Sequence, residues 1–433
     1  MTDRWILRAV LARAGFRRLL LTRVAGQFGD GVFEASLASA VLFNPQRQAD
    51  PASIAAGFAV LLLPYSFVGP FAGVLLDRWS RQRVLVVSNV VRCGLVAGVA
   101  AETWTGLAGL PFYASALVVI SVNRFFLAAL SAALPHVVDE PQLVTANSTS
   151  TTCGSLATTL GAAAALSLLP LAPSGNHGYA LVALASALGY GGSALAARGF
   201  DQALLGPDLA ERATRETLAE VARGLVAGGR HVLARRPALY ALGVIGGHRF
   251  WYGISFVATL LLYRNHFVSD GFFRAGAAGL GQVVVCTALG ALLAAAVTPP
   301  LARRVGKPAW ITGMVATAAV VQGVLGAPYS MLALLPAAVV LGFAAQGAKI
   351  CVDTTVQESV DDAFRGRVFS LYDTLFNMTF VAAAVFSAFT LPPSGKSYVV
   401  LSVVVVGYAV TAALYASATR RMASPVPTPV PTP

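Results

Sequence analysis

The stretch GVLLDRWSRQR, residues 73–83, joins two apolar runs of the chain. The run that ends in it covers residues 53–76, and the run that begins at its last residue covers residues 83–101. Each run has about the 20 apolar residues that a helix needs to cross a bilayer. One acidic and three basic side chains lie in the junction. The pattern therefore indicates a short polar loop between two membrane-spanning helices.

The composition of the whole chain agrees with this interpretation. Of its 433 residues 56% are hydrophobic and 12% are charged, whereas a soluble domain has about 25% charged residues. We therefore predict an all-α membrane protein with twelve transmembrane helices. The twelve apolar runs lie at residues 17–42, 53–76, 83–101, 110–134, 144–171, 178–198, 237–263, 275–298, 309–327, 329–354, 364–391 and 397–418.

The basic residues indicate how the helices are oriented. With twelve spans both termini share one side of the membrane, and most of the 31 basic residues fall on that side. This bias predicts that both termini are cytoplasmic, and it explains the net charge of +12 without a nucleic-acid partner. The excess of Arg over Lys indicates a bacterial source and hence the bacterial cytoplasmic membrane. Four basic residues lie inside spans, namely Arg92, Arg124, Arg249 and Lys349.

Two pairs of loops repeat along the chain. Val138-Asp139-Glu140 aligns with Val360-Asp361-Asp362 at an offset of 222 residues, and Arg78 aligns with Arg304 at an offset of 226. Similar offsets predict a duplicated six-helix unit. The predicted parts are an N-terminal half (1–200), a cytoplasmic linker helix (201–236), a C-terminal half (237–420) and a disordered Pro-rich tail (421–433). A surface helix is expected over residues 5–18, where Arg alternates with apolar residues.

The 73–83 motif resembles the signature of the major facilitator superfamily. Residues 358–374, ESVDDAFRGRVFSLYDT, are similar to the prokaryotic branch that contains the enterobactin exporter and macrolide-efflux proteins. The resemblance implies two pseudo-symmetric halves of six helices each. It also implies that spans 1, 4, 7 and 10 line a central cavity and that the halves move in alternating access.

The motif and nearby arginines predict a gate. Asp77 can accept from helix amides or pair with a basic residue such as Arg92, and such a latch would hold one conformation. The alternative is a loop that only follows the cytoplasmic charge bias. The residues assigned to gating are Gly73, Asp77, Arg78, Arg81, Arg83, Arg92, Arg365 and Arg367.

Polar residues follow one face of span 1, at positions 23, 27, 30 and 34. A charge at mid-membrane is costly, so Asp30 and Glu34 are expected to face a wet cavity, where carboxylates can bind and release protons. Alternatively, Asp30 pairs permanently with Arg124 or Lys349. Arg124 is either a structural or gating partner or a contact for an anionic substrate. His248 is either a pH-sensitive group or a packing residue. Lys349 and Asp353 have the spacing of a local pair. The predicted coupling and cavity residues are Gln27, Asp30, Glu34, Arg124, His248, Tyr252, Gln346, Lys349 and Asp353.

These features predict a secondary active transporter and no enzyme. The residues SGKS (394–397) lack the spacing of a phosphate-binding loop, so an ion gradient is the expected energy source. We expect a monomer, without cofactor or metal, that exports an amphipathic or lipophilic molecule such as a drug or siderophore-like compound by proton antiport. The alternatives are a lipid or lysolipid flippase of the same fold, and a membrane receptor or scaffold that does not transport.

Overall fold

The computed structural model describes residues 3–42, 57, 79–107, 109–139, 142–202, 204–206 and 218–423. These residues form helices joined by short connections and contain no β-strand, which confirms the all-α prediction for this part of the chain. They divide into two compact units, one that ends at Arg223 and one that begins at Gly224. The predicted span at 53–76, apart from Gly57, and residues 424–433 of the predicted tail lie outside the described residues.

The first unit holds six α-helices among its described residues, before the linker helix. Its predicted surface helix over residues 5–18 is divided, because one helix ends at Ala12 and the next begins at Ala14. The second of these then continues without a break through the predicted first span. The helices are α1 (Asp3–Ala12), α2 (Ala14–Leu42), α3 (Arg81–Trp104), α4 (Leu110–Ala133), α5 (Leu143–Leu168) and α6 (Asn176–Arg198).

The linker helix α7 (Leu218–Ala234) leads into the second unit, where Arg235 separates it from the next helix. Proline lies in the first turn of α8 and of α10, where its missing N–H is not needed. A π-helical segment, Gln322–Gly326, ends α10 within the described second unit. The helices of this unit are α8 (Arg236–Asn265), α9 (Gly276–Val305), α10 (Lys307–Val321), α11 (Met331–Ser359), α12 (Asp362–Thr390) and α13 (Tyr398–Ala423).

Nine helices of the described residues are long and apolar enough to cross a membrane. The first span of each predicted half, α2 and α8, has 29 and 30 residues and is not among these nine helices. The chain is therefore a multi-pass membrane protein.

The same pairs of helices pack in both units. In the first unit α2 packs against α5 and α6, while α3 packs against α4 and α6. In the second unit α8 packs against α12 and α13, while α10 packs against α11 and α13. The correspondence of α2 with α8, and of each later helix with its counterpart, is the pattern that a duplicated unit produces. The boundaries of the predicted halves stay a prediction.

One ion pair also occurs in both units. Arg13, directly before α2, pairs with Asp139 in the connection after α4. Arg235, directly before α8, donates to both carboxylate oxygens of Asp361 at 2.9 Å. Both pairs have the 222-residue offset of the sequence repeat. In the second unit the His231 ring of α7 also stacks on the ring of Phe364, with ring centroids 4.5 Å apart. The linker helix therefore packs against the start of α12.

Candidate functional site

A buried ion pair lies in the interior of the first unit. Asp30 of α2 is 5% exposed, and Arg92 of α3 is fully buried. Arg92 Nη1 donates to Asp30 Oδ1 at 2.6 Å. Here α3 packs against α4 and α6, and α6 in turn packs against α2.

Polar and aromatic groups complete the surroundings of Arg92. Its Nη1 also donates to the side-chain oxygen of Asn123 at 2.9 Å, and its Nη2 donates to that of Asn89. The guanidinium lies between two rings, with its Cζ 4.4 Å from the centre of Phe126 and 4.2 Å from that of Tyr190. Four helices, α2, α3, α4 and α6, therefore meet at one cation.

This pair corrects one expectation. The sequence offers Arg124 or Lys349 as an ion-pair partner of Asp30, and the structure shows Arg92 in that place. The gating role of Arg92 with Asp77 stays a prediction, because Asp77 lies outside the described residues.

Glu34 lies one helical turn beyond Asp30 on the same helix. Its side chain is half-buried and interacts electrostatically with Asp30 and Arg124. It makes no hydrogen bond or ion pair with another residue that the structure describes. Gln27, one turn on the other side of Asp30, donates to the Thr158 hydroxyl at 3.4 Å. The structure thus brings Asp30, Glu34 and Arg124 together and leaves Glu34 outside the ion pair.

The predicted gating residues are only partly described. Gly73, Asp77 and Arg78, and the side chain of Arg365, lie outside the described residues. Arg81 is buried and donates to the backbone oxygens of Ala132 and Leu205 at 3.0 and 3.2 Å, which ties the start of α3 to the end of α4. Arg83 is exposed, and Arg367 is exposed and packs against Gly224 of α7. The gating role of these residues stays a prediction.

The predicted polar residues of the second unit separate into several sites. Lys349 donates to Asp353 at 2.6 Å, as their spacing predicts, and Gln346 on the same helix is half-buried. His248 is buried against the ring of Tyr408 in α13, with centroids 5.5 Å apart. This contact corresponds to the packing role of His248.

Farther along α8 than His248, the polar residues Tyr252, Ser255 and Thr259 line a cavity. The cavity has a volume of about 320 Å³ and lies among α8, α9, α11 and the π-helical segment. Its polar lining consists of Tyr252, Ser255, Thr259, Thr287 and Gln322. The other lining residues are apolar, and none of the described lining residues is charged. The face of α8 that carries Tyr252, Ser255 and Thr259 is thus one wall of a mainly apolar cavity.

Arg249 of α8 was noted in the sequence only as a basic residue within a span. In the structure its guanidinium packs on the rings of Phe376 and Phe380 of α12, at 4.2 and 4.4 Å. The available sequence signal was a charge in an apolar helix next to His248, but the aromatic partners lie more than 120 residues away.

Comparison with known proteins decides the family. The sequence profile described as Major Facilitator Superfamily matches residues 20–384. The chain belongs to the Major Facilitator Superfamily. It is 39% identical over 401 residues to an uncharacterised MFS-type transporter of Mycobacterium tuberculosis and to one of Mycobacterium bovis. The alignment covers 91% of this chain and 88% of each relative. The predicted family and its prokaryotic relationship are confirmed.

Solved structures agree with the superfamily fold. An auto-inhibited POT family peptide transporter has a TM-score of 0.70 at 11% identity, and the match covers 96% of this chain and 99% of that one. The nucleoside transporter NupG has a TM-score of 0.64 at 15% identity, covering 95% of this chain and 100% of that one. At such identities the likeness concerns the fold alone. The chain is a major facilitator transporter of all-α fold.

Proposed function

We propose that this transporter exports an amphipathic or lipophilic small molecule in exchange for protons. It acts as a monomer in the bacterial cytoplasmic membrane, with both termini in the cytoplasm. The observation that carries the proposal is Glu34, a half-buried carboxylate beside the Asp30–Arg92 pair that bonds to no other described side chain.

The position of Glu34 suits reversible protonation. Asp30 already neutralises Arg92 at 2.6 Å, so Asp30 cannot take up a proton without weakening a buried ion pair. Glu34 can gain or lose a proton without breaking such a bond. Its ionised form places two carboxylates one helical turn apart, and its neutral form removes that repulsion. A change of one charge at this place can shift the balance between two conformations.

The cavity of the second unit supports a lipophilic substrate. Its volume of about 320 Å³ lies within the range of about 300–1,000 Å³ that is usual for small-molecule sites. The lining is apolar with a few hydroxyl groups and one amide, from Ser255, Thr259 and Gln322 among others. An apolar molecule with one or two hydrogen-bonding groups fits this lining.

The test is transport by purified protein in proteoliposomes. The vesicles contain a pH-sensitive dye, and a panel of anionic, neutral and cationic amphiphiles is added on one side. For the wild type we expect transport of at least one compound to drive protons in the opposite direction across the vesicle membrane. An imposed pH gradient should in turn make that compound accumulate on one side. Glu34→Gln fixes a neutral side chain, so we expect accumulation to vanish while downhill exchange of the same compound persists.

Glu102→Gln is the matched control, because Glu102 lies at the far end of α3 and accepts from Ser115 instead of facing Asp30. We expect this variant to keep full coupling. Unchanged pH-driven accumulation in Glu34→Gln would reject Glu34 as the proton site. Movement of lipid between leaflets without any effect of the pH gradient would favour the flippase alternative.

A further inference from the structure

Arg249 is a cation held by aromatic rings inside the second unit. Its Cζ lies 4.2 Å from the ring centre of Phe376, 4.4 Å from that of Phe380 and 5.7 Å from that of Tyr252. Its Nε is buried and has no hydrogen-bond partner among the described residues, which is also true of the Nε of Arg92. Rings attract a guanidinium through their negative faces, but they do not neutralise its charge.

The first unit shows what a complete site of this kind contains. Arg92 also packs between two rings, Phe126 and Tyr190, at closely similar distances. In addition it has the carboxylate of Asp30 at 2.6 Å and two asparagine oxygens. Arg249 has the rings, but none of the described carboxylates lies within ion-pair distance of it. The anion is the component that the second site lacks.

The neighbours of Arg249 are phenols rather than acids. The titratable groups near it are the His248 ring and the hydroxyls of Tyr252, Tyr408 and Tyr372. Asp353, on the facing helix α11, is already bound to Lys349. A tyrosine hydroxyl can donate to an anion that approaches the guanidinium, so these neighbours suit an acidic ligand.

The same face of α8 connects Arg249 to the apolar cavity. Arg249, Tyr252, Phe256 and Thr259 follow one another at spacings of three or four residues, and the last three line the cavity. Tyr252 touches both sites, since its ring faces Arg249 and also forms part of the cavity wall. Arg249 is not one of the lining residues, and Tyr252 is the side chain that connects its guanidinium to the cavity.

We propose that Arg249 binds the acidic group of the transported molecule, and that the substrates are lipophilic acids with a carboxylate, phosphate or sulfonate group. The apolar body lies in the cavity, and the acidic group reaches the guanidinium past Tyr252. Arg249 is then a specificity-determining residue. This inference rests on the proposed function only where it treats the bound acid as a transported substrate. The binding of the acid to Arg249 does not depend on proton coupling.

The experiment compares two probes of the same shape at one pH and without a gradient. 2-Naphthoate is an anion, and 2-naphthamide is its neutral analogue. Binding to the purified full-length protein is measured by calorimetry. We expect the wild type to bind naphthoate at least tenfold more tightly than naphthamide, because only the acid neutralises the cation. Equal affinities in the wild type would overturn the proposal.

Variants then test whether Arg249 causes the preference for naphthoate over naphthamide. Arg249→Gln removes the charge, and we expect it to lower naphthoate affinity at least tenfold while naphthamide affinity changes little. Arg249→Lys keeps the charge but loses the planar two-pronged donor, so naphthoate affinity should fall by less. Lys396→Gln is the control, since Lys396 also lies over two tyrosine rings but outside this site.

Naphthoate affinity that is the same in Arg249→Gln and in the wild type would overturn the proposal. If Arg249→Gln does not fold, Arg249→Lys decides, because unchanged naphthoate affinity in that variant would also overturn it. The proton-coupling proposal fails separately, in the transport assay, when no compound responds to the pH gradient. A protein that prefers naphthoate but shows no coupling would keep the acid site and lose only the antiport mechanism.

Discussion

Arg92 is the largest fully buried side chain among the described residues. A buried guanidinium needs compensation for its charge, and here a carboxylate, two asparagine oxygens and two rings surround its terminal nitrogens, while Nε has no hydrogen-bond partner among the described residues. Removing one partner of such a pair leaves a charge without compensation, which costs about 3–5 kcal/mol. The pair therefore acts first on the stability and arrangement of α2, α3, α4 and α6.

Asp30→Asn should lower the free energy of unfolding by about 3–5 kcal/mol, since it leaves Arg92 as an uncompensated buried cation. Asp30→Asn combined with Arg92→Gln removes both charges and should recover most of that loss. Unfolding of the purified protein in detergent measures both variants. Lys349→Gln is the control, because the Lys349–Asp353 pair is about one-third exposed and should contribute about 1 kcal/mol or less. A single variant as stable as the control would contradict this account.

At the scale of helices, glycine sets how closely α2 and α5 approach. A Cβ on Gly161 would overlap the backbone oxygen of Phe28, and one on Gly31 would overlap that of Thr158. The two helices thus touch backbone to backbone, which small residues allow in membranes. The same arrangement joins α9 to α11 in the second unit, through Gly290.

Gly161→Ala should therefore destabilise the first unit by about 1–3 kcal/mol, because the added methyl group meets backbone atoms that cannot move alone. Gly98→Ala is the matched control on α3, where a Cβ would meet no atom within 4 Å. That change should be neutral or stabilising by up to about 1 kcal/mol, since alanine favours helix. Thermal unfolding compares the two variants. Equal midpoints would show that α2 and α5 can move apart without a loss of stability.

The sequence predicts elements better than contacts between elements. Apolar runs identify most spans within a few residues, and even the short GAPYS junction at 326–330 separates two helices as expected. Periodicity places Asp30 and Glu34 on one face of α2, but it carries no information on which neighbour that face meets. The partner Arg92 depends on how α2, α3 and α6 are rotated against one another.

The polar stripe of α8 shows the same limit. His248, Tyr252, Ser255 and Thr259 share one face by spacing, yet His248 packs on Tyr408 of α13 while the other three line the cavity. The neighbours of a helix change along its length, so one face can serve two sites. Arg249 was overlooked for a related reason, because its role becomes visible only through Phe376 and Phe380 of α12.

At the scale of the molecule, duplication explains why the two units share their helix pairings. The Arg13–Asp139 and Arg235–Asp361 pairs lie at equivalent places and keep the same offset. Both pairs are largely exposed, so each contributes about 1 kcal/mol or less to stability. The halves differ at two arginines that pack on aromatic rings: buried Arg92 has a carboxylate partner, whereas half-buried Arg249 has none among the described residues.

The orientation in the membrane follows from the alternation of helices within the second unit. Each of the helices from α9 to α13 crosses once, so the connections near residues 305 and 360 lie on one side and those near 329 and 395 lie on the other. Arg303, Arg304 and Lys307 cluster at the first connection, whereas Lys396 is the basic residue at the last. The positive-inside bias therefore predicts that Arg304 lies in the cytoplasm and Lys396 outside.

Single cysteines test this orientation in a chain whose own four cysteines are replaced by alanine. An impermeant maleimide added to intact cells should label Lys396→Cys, because that position faces the reagent. Arg304→Cys should react only after the cells are permeabilised, because it faces the cytoplasm. The cysteine-free parent is the control for background labelling, and pH-driven accumulation checks that it is still active. Labelling of Arg304→Cys in intact cells, with protection of Lys396→Cys, would reverse the orientation and place both termini outside.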